Sequence, residues 1–302
     1  MNQNYFIDIE NIIRKNLEKR GMDKINLLGE FENAVKDIYN GSTVLIVTGF
    51  VIRSSLTGET DGPIGAISLA SALEKLGKKV VLVTDKYSRD MLYNCCIVKD
   101  VKASIEVVPH YNTDKFCNEL LEKYQPSHIV AIERPGRAKD GHCYSMRGED
   151  LSDLVPDTDI LFIKSKEQGI VSLAVGDGGN EVGMGKVSSF VIDSVNKGEQ
   201  ICAAISTDYL IVAGVSNWGG HALAAALSII SGTMLLHDSK IEKRLLEVMI
   251  EAGAVDGCTK KGTLTVDGLS LEDNIEILEN LRSIVDILLN TVEENYIYMK
   301  CT

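Results

Sequence analysis

The strongest constraint on the fold is a set of short, continuous apolar runs separated by amphipathic segments. Four of these runs are rich in β-branched residues: "TVLIVTGF" from Thr43, "KKVVLVTD" from Lys78, "HIVAIERPG" from His128 and "IVSLAVGDGG" from Ile170. Such runs are typical of strands that are buried on both faces of a parallel sheet. The alternation therefore predicts an α/β fold, a mainly parallel sheet with helices on both faces in a three-layer, Rossmann-like arrangement.

Segments with helical spacing occupy most of the intervals between the apolar runs. "PIGAISLASALEKLG" predicts a helix with Pro63 in its first turn. At the N-terminus, "IDIENIIRKNLEKRG" predicts one helix that stops at Gly21, and residues 27–40 predict a second. The other helices are predicted at 113–124, around 183–197, at 217–236 and at 239–253. Further strands are predicted at "SIEVVPH", 201–205 and 209–215.

The order of these patterns predicts one α/β domain over residues 1–302. In this interpretation residues 1–40 form a helical N-terminal extension and residues 41–253 form the α/β core. Residues 254–302 form a flap and a C-terminal helix. The sequence contains no internal repeat and no linker rich in proline or serine that would divide the chain.

Charge and composition exclude several classes of partner. With 31 basic and 43 acidic residues the formal net charge is −12, so neither nucleic acid nor a membrane is an expected partner. The longest apolar run, 222–236, is too short to span a bilayer. Seven cysteines without a C-x-x-C pair indicate a reduced, cytoplasmic protein. We expect a small-molecule substrate. The apolar helices at 222–236 and 275–292 could also form an interface of a homo-oligomer.

Acidic residues gather in the loops that follow the predicted strands. Open α/β sheets bind ligands beyond the carboxyl ends of their strands, so side chains in these loops are expected to share one crevice. Carboxylates held close together either take up protons or bind a hard cation, which makes Mg²⁺ or Mn²⁺ a candidate cofactor. The residues concerned are Glu59, Asp61, Asp85, Glu133, Asp177 and Glu181.

The glycine-rich segment "VGDGGNEVGMG", Val175 to Gly185, is the most unusual of these loops. Its glycines let the backbone approach a ligand closely, while Asp177 and Glu181 would repel an anion. We interpret the loop as a site in which the two acids bind a metal or an ammonium group, with the carbonyl oxygen of Asn180 as a further ligand. The alternative is that both acids cap the helix that follows.

Other polar residues are weaker candidates. Arg134 and Arg137 in "ERPGRA" could clamp a substrate carboxylate, or they could pair with nearby acids. His221 is a reserve candidate because it opens a predicted helix. No phosphate-binding loop and no G-x-G-x-x-G fingerprint occurs, so no nucleotide cofactor is expected. The remaining histidines lack metal-type spacing and are expected to be packing or surface residues: His110, His128, His142 and His237.

Five segments together resemble the conserved blocks of the D-glutamate cyclase family, and specifically the C-terminal domain of the larger eukaryotic enzymes. In chain order they are "TGFVIRSSLTGETDGPIGA", "ERPGRAKDGHCYSMRG", "GDGGNEVGMG", "SNWGGHALAAAL" and "AGAVDGCTKKGTLTVDGL". The resemblance covers roughly residues 40–295, and five blocks in the same order are much more specific than one glycine loop. It implies a lyase that interconverts D-glutamate and 5-oxo-D-proline with loss of water.

For this reaction, residue type and position at the strand ends suggest a role for each candidate. Glu133 or Asp177 would act as the base, and Arg134 would clamp the substrate carboxylate. The flap could add Asp256 or Lys260. A divalent ion or the substrate ammonium group would be held by Glu59, Asp61, Asp177 and Glu181. The other substrate-binding candidates are Gly178, Gly179, Asn180 and Asn217.

Two other functions could use the same residues. A metal-dependent phosphatase would bind two ions at the acidic residues and bridge them with a phosphate. A non-catalytic amino-acid-binding protein would use the glycine loops and the arginines without a base. Dependence on metal distinguishes the phosphatase from a metal-free cyclase, and turnover distinguishes the binding protein from both enzymes.

Overall fold

The fold is built on a six-stranded, fully parallel sheet. It is seen in a computed structural model that describes residues 4–27 and 29–301, with side chains described as far as residue 291. The spatial order of the strands is β3-β2-β1-β4-β5-β6, which confirms the predicted three-layer α/β fold. The strands are β1 (Thr43–Thr48), β2 (Lys79–Thr84), β3 (Ser104–Val107), β4 (His128–Ile132), β5 (Val171–Gly176) and β6 (Tyr209–Val212).

Helices cover both faces of the sheet. In chain order they are α1 (Tyr5–Ile13), α2 (Glu30–Asn40), α3 (Pro63–Lys75), α4 (Arg89–Lys99), α5 (Thr113–Tyr124), α6 (Asp159–Gln168), α7 (Ser188–Ser194), α8 (Gly198–Ile201), α9 (Ser216–Ser231), α10 (Ser239–Glu251) and α11 (Leu271–Cys301). Helices α5 to α8 pack on one face, and the remaining helices pack on the other.

Alternate strand residues supply two separate cores. In β1, Val44 and Ile46 belong to one cluster of buried side chains, whereas Leu45 and Val47 belong to the other. Successive side chains of a strand point to opposite faces of the sheet, so covering both faces requires a continuous apolar run. This is why the runs in the sequence do not alternate with polar residues.

The strand order opens a crevice between β1 and β4. Strand β1 pairs with β2 on one side and with β4 on the other, with Val44 opposite both Val80 and His128. From β1 the chain crosses toward β2, and from β4 it crosses in the opposite direction toward β5. Loops that diverge in this way leave space for a ligand at the carboxyl edge of the sheet.

The N-terminal helix ends earlier than predicted. Helix α1 stops at Ile13, and Asn16 takes a left-handed backbone (φ 72°) before a short 3₁₀ helix, Leu17–Arg20. Asparagine tolerates this conformation better than most residues do. The prediction of one helix as far as Gly21 is therefore wrong. The second predicted helix corresponds to α2, while residues 1–3 and 28 of the predicted extension lie outside the described residues.

The region between β4 and β6 also differs from the prediction. Helix α6 is missing from the prediction because its apolar residues, 160–163, are consecutive rather than spaced at the helical period. The helix predicted around 183–197 is wrong in extent, because a 3₁₀ turn precedes α7. The strand predicted at 201–205 is also wrong, since Ile201 ends α8 and Ala203 makes only an isolated bridge to Ala138.

Most of the long apolar run 222–236 is buried in the core of one chain. Helix α9 is buried from Ser216 to Ser228 and packs against α3 and α11. Its apolar side chains are therefore used in the core, and the homo-oligomer stays a prediction. Within the described residues, no helix combines the length and apolar character that crossing a membrane requires.

Candidate active site

Five of the six predicted acidic residues meet at the carboxyl edge of the sheet. Glu59 and Asp61 lie in the loop after β1, Glu133 directly follows β4, and Asp177 and Glu181 lie in the loop after β5. Each of these five side chains is more than nine-tenths buried. The predicted crevice therefore exists, and the sixth acid forms an internal ion pair that is described below.

Asp177 lies at the centre of this group. Carboxylate oxygens of Glu133, Asp177 and Glu181 lie within 4.8 Å of one another, and the same holds for Asp61, Asp177 and Asp267. So many like charges cannot all be ionised without a counter-ion, so the site holds protons, a cation or both. We call the following six residues the acidic cluster: Glu59, Asp61, Glu133, Asp177, Glu181 and Asp267.

Two members of the site were not predicted from the sequence, Arg20 and Asp267. Asp267 lies in the turn of a hairpin with strands Thr265–Val266 and Leu269–Ser270, and both turn residues have positive φ. Its Asp-Gly pair is a strong signal for a two-residue hairpin, so the turn could have been found. Arg20 Nη2 lies 3.0 Å from Asp177 and 2.6 Å from Asp267. No local pattern links Arg20 to the strand ends.

Among the described residues, Arg20 is the cation that forms ion pairs with the acidic cluster. The charge of Asp177 raises the pKa of Arg20, against the opposing effect of burial. Its guanidinium group therefore stays charged, but one cation cannot neutralise six carboxylates. The cluster must keep protons or gain a further positive charge, from an ion or from a substrate.

The glycine-rich loop wraps around a carboxylate of its own. Glu181 accepts hydrogen bonds from the backbone N–H groups of Gly178 (2.8 Å) and Gly179 (2.7 Å). A Cβ atom at Gly178 would lie 3.0 Å from the Glu181 carboxylate, so this close approach favours glycine. The loop therefore binds an anion that the chain itself supplies, and the predicted contacts of these residues with substrate or metal stay predictions.

Asp61 and Asn217 join the N-terminus of α3 to that of α9. Asp61 accepts hydrogen bonds from the backbone N–H groups of Ser216 (2.9 Å) and Asn217 (2.8 Å). The side-chain oxygen of Asn217 accepts from the N–H groups of Gly62 (3.0 Å) and Gly65 (2.8 Å). The first N–H groups of a helix need such acceptors. Asn217 thus caps the N-terminus of α3, and its predicted contact with substrate stays a prediction.

Glu133 has the surroundings of a general acid or base. Its carboxylate accepts a hydrogen bond of 2.6 Å from the hydroxyl group of Ser216. Burial raises the pKa of Glu133 well above its usual range, and the charges of Glu181 and Asp61 raise it further. A carboxyl group with a raised pKa can exchange a proton near neutral pH.

Other members of the acidic cluster are affected in the same way. Burial raises the pKa of Asp61 to about 8, and the charge of Asp267 adds to the effect. Burial also raises the pKa values of Glu59 and Asp177, although Arg20 opposes the shift at Asp177. Several carboxyl groups of the site therefore resist ionisation unless a cation lies beside them.

Arg134, the predicted carboxylate clamp, is buried and paired within the chain, and its contact with substrate stays a prediction. It is 1% exposed, and its guanidinium donates hydrogen bonds to Asp85 (2.5 Å) and to the Thr158 hydroxyl group (3.0 Å). It also donates to the carbonyl oxygens of Gly49 and Pro156. All three of its nitrogen atoms have a protein partner. The geometry supports the alternative that the sequence left open, pairing with a nearby acid.

A cavity of about 540 Å³ opens onto the acidic cluster. Cavities of this size accommodate small molecules. Asn180 also lines the cavity, and its side-chain oxygen has no hydrogen-bond partner among the residues that the structure describes. The acidic wall of the cavity includes Glu59, Glu133 and Asp267. Its basic residues are Arg20, Arg53, Arg147 and Lys260.

The flap, residues 254–270, closes one side of the cavity. Asp256 accepts hydrogen bonds from the backbone N–H groups of Cys258 (2.7 Å) and Gly268 (2.8 Å), so it holds the flap in shape. Lys260 lines the cavity. Of the two flap residues that were candidates, Lys260 is therefore the one placed to meet a ligand.

Two comparisons with known proteins show the family of the chain. The family described as D-glutamate cyclase-like, C-terminal, matches residues 9–282, a range that contains the whole acidic cluster and Arg20. The mitochondrial D-glutamate cyclase of Homo sapiens is 35% identical over 239 residues, which is 74% of this chain and 38% of that protein. The chain therefore matches well under half the length of this relative. On these matches, the chain belongs to the D-glutamate cyclase-like, C-terminal family.

Proposed function

We propose that the protein is a lyase that interconverts D-glutamate and 5-oxo-D-proline, with water as the second product of cyclisation. The observation that carries the proposal is a buried cluster of carboxyl groups, of which Glu59 and Glu133 have raised pKa values and lie in the wall of a small-molecule cavity. Family membership supports the substrate class, because the human relative is named a D-glutamate cyclase.

The charges around the cavity suit those of glutamate. D-Glutamate carries one ammonium group and two carboxylate groups. The ammonium group suits the acidic wall formed by Glu59 and Glu133, and the carboxylates suit Arg20 and Lys260. Attraction between opposite charges is stronger in a partly desolvated cavity than in water. We therefore expect Arg20 or Lys260, rather than Arg134, to bind a substrate carboxylate.

Cyclisation moves two protons from nitrogen to oxygen. The ammonium group loses one proton before its nitrogen attacks the γ-carboxyl carbon, and it loses another as the amide forms. One oxygen of the γ-carboxyl group takes up both protons and leaves as water, so atoms and charges balance. Glu133 is suited to accept a proton from nitrogen and return it to the leaving oxygen, with Asp177 as the alternative base.

Two further effects would lower the barrier. Holding the amine against the γ-carboxyl group can contribute up to about 7–11 kcal/mol in favourable intramolecular reactions. Arg20, which pairs with Asp177 and Asp267, can stabilise negative charge that develops on oxygen in the tetrahedral intermediate.

A divalent cation is the second part of the proposal. Oxygen atoms of Asp61, Asp177 and Asp267 converge within 4.8 Å, and the unpaired side-chain oxygen of Asn180 lies in the wall of the adjoining cavity. Oxygen ligands of this kind suit Mg²⁺ or Mn²⁺. When bound, such an ion would act as a Lewis acid toward the γ-carboxyl group.

An NMR time course tests this proposal. The purified protein is incubated with D-glutamate or 5-oxo-D-proline, each with Mg²⁺, Mn²⁺ or EDTA, and with the L-enantiomers as controls. We expect interconversion that is confined to the D-series, and loss of turnover in EDTA would support the cation. If neither compound changes, the lyase is contradicted. Saturable binding without turnover would then indicate a binding protein, and a panel of phosphate esters would test for a phosphatase.

Replacing Gly257 by alanine is expected to impair the site without unfolding the chain. A Cβ atom at Gly257 would lie 1.7 Å from the Glu59 carboxylate, so the flexible end of Glu59 must move. A misplacement of about 1 Å in an active site can lower turnover about 100-fold, and we expect a loss of this order for D-glutamate. Steady-state kinetics and the thermal midpoint are the measurements.

Gly262→Ala is the matched control in the same flap. A Cβ atom at Gly262 would have its nearest neighbours at 3.4 and 3.5 Å, which is ordinary contact. This variant should keep both its turnover and its thermal midpoint. Equal turnover in the two variants would show that Glu59 has no part in the reaction.

A further inference from the structure

A second group of buried polar side chains lies between α9 and α10, outside the acidic cluster. His221 belongs to α9, His237 precedes α10, and Glu242 belongs to α10. They are 0%, 5% and 3% exposed, respectively. One potential ligand atom from each residue lies within 4.8 Å of the other two. The proposed cyclisation makes no use of these three side chains.

Both imidazole rings present Nε2 to the same carboxylate. His237 Nε2 lies 2.6 Å from one oxygen of Glu242, and His221 Nε2 lies 3.3 Å from the other. The Nδ1 atoms of both rings are buried and have no hydrogen-bond partner among the described residues. Contacts with Glu242 account for the two Nε2 atoms, but a buried Nδ1 without a partner is unusual, and here both rings have one.

Charge balance points to a bound cation. The ion-pair partners of Glu242 among the described residues are these two histidines alone. A glutamate is ordinarily ionised at pH 7, whereas imidazole is ordinarily mostly neutral. A buried carboxylate between two neutral rings would leave an uncompensated negative charge in the protein interior, which is strongly unfavourable.

We propose that His221, His237 and Glu242 bind a divalent transition metal such as Zn²⁺. Two imidazole nitrogens and one carboxylate oxygen form a ligand set that zinc accepts, and imidazole suits zinc better than it suits Mg²⁺. The three residues supply three of the four ligands of a tetrahedral zinc ion, and their burial places the ion inside the protein. The ion would join α9 to the start of α10.

The metal content of the refolded full-length chain tests this site. Because the ligands are buried, existing metal is removed by unfolding the protein in denaturant with EDTA. The chain is then refolded with Co²⁺, which reports its ligands through visible d–d absorption. In buffer with excess Mg²⁺ to fill sites made of oxygen ligands, we expect one equivalent of Co²⁺ to stay bound through gel filtration. The thermal midpoint should exceed that of the chain refolded without metal.

Three variants show which residues hold the ion. His237→Gln removes a ligand and should lose both the Co²⁺ and its absorption. Asp177→Asn alters the acidic cluster, and His142→Gln replaces an exposed histidine. Both variants should retain the bound Co²⁺ and its absorption. This comparison separates the proposed site from any cation at the acidic cluster, whatever the outcome of the cyclase assay.

Three results would overturn the metal site. One is retention of Co²⁺ by His237→Gln, and another is its loss from Asp177→Asn. The third is a wild-type chain that refolds without binding Co²⁺, a result that does not depend on the folding of any variant. In that case a proton within the His221, His237 and Glu242 group would be the compensating charge.

Discussion

Replacing Glu133 by glutamine is expected to lower kcat for D-glutamate by about 100- to 10,000-fold, the usual range for loss of a general acid or base. Glutamine has nearly the same shape and can still accept the hydrogen bond from Ser216. It cannot exchange a proton near neutral pH. The variant should fold, because Glu133 already resists ionisation in its buried position. Steady-state kinetics followed by NMR or chiral chromatography measures the loss.

The pH profile of the wild-type protein examines the same residue. Burial and the charges of Glu181 and Asp61 raise the pKa of Glu133. A base must be deprotonated before it can accept a proton from the substrate ammonium group. We therefore expect kcat to rise with pH through this raised pKa and to level off above it. Any residual turnover of Glu133→Gln should lack this rise.

Glu122→Gln is the control for Glu133→Gln. Glu122 is exposed on α5, away from the carboxyl edge of the sheet, and its replacement should leave kcat unchanged. If Glu133→Gln matched this control, Glu133 would not be the base. Asp177, which is shared by the two close trios of carboxylates, would then be the remaining assignment.

Replacing Arg134 by methionine is expected to lower the free energy of unfolding by about 3–5 kcal/mol, the usual cost of breaking a buried ion pair. The change leaves the Asp85 carboxylate without its cation in a position that is 1% exposed. It also removes the donors to Thr158 and to two carbonyl oxygens. Urea unfolding measures the loss.

Two further variants distinguish a structural role from a substrate clamp. Arg137→Met removes a partly exposed neighbour that pairs with Asp157 at 2.9 Å, and it should cost at most about 1 kcal/mol. Adding Asp85→Asn to Arg134→Met removes the unpaired charge and should restore part of the lost stability. If Arg134→Met unfolded like the wild-type protein but had a raised KM, Arg134 would instead be the clamp.

Much of the fold could be predicted because its signals are local. A continuous β-branched run such as Thr43–Thr48 can be covered on both faces only in a layered structure. Helix boundaries were less predictable, since the left-handed Asn16 between α1 and the 3₁₀ helix leaves no mark in the apolar spacing. Helix α6 was not predicted, because its apolar residues are consecutive and show no helical spacing.

Five members of the acidic cluster could be predicted because parallel strands align their carboxyl ends. Residues that directly follow such strands, as Glu133 and Asp177 do, must lie near one another. The roles within the cluster were harder to predict. Glu181 accepts hydrogen bonds from its own loop, and Asn217 accepts them at the N-terminus of a helix. Both are nevertheless residue types that could bind a ligand.

The sequence by itself determined the layered architecture, the edge of the sheet that carries the site and the acidic character of that edge. Only the tertiary structure decided which charges pair. Arg20 contacts Asp267 across 247 positions of the chain, and His221 contacts Glu242 from a different helix. Periodicity and spacing describe neighbours along one element, whereas these contacts depend on how distant elements pack. For the same reason the pairing of Arg134 stayed open in the sequence, and the structure places it 2.5 Å from Asp85.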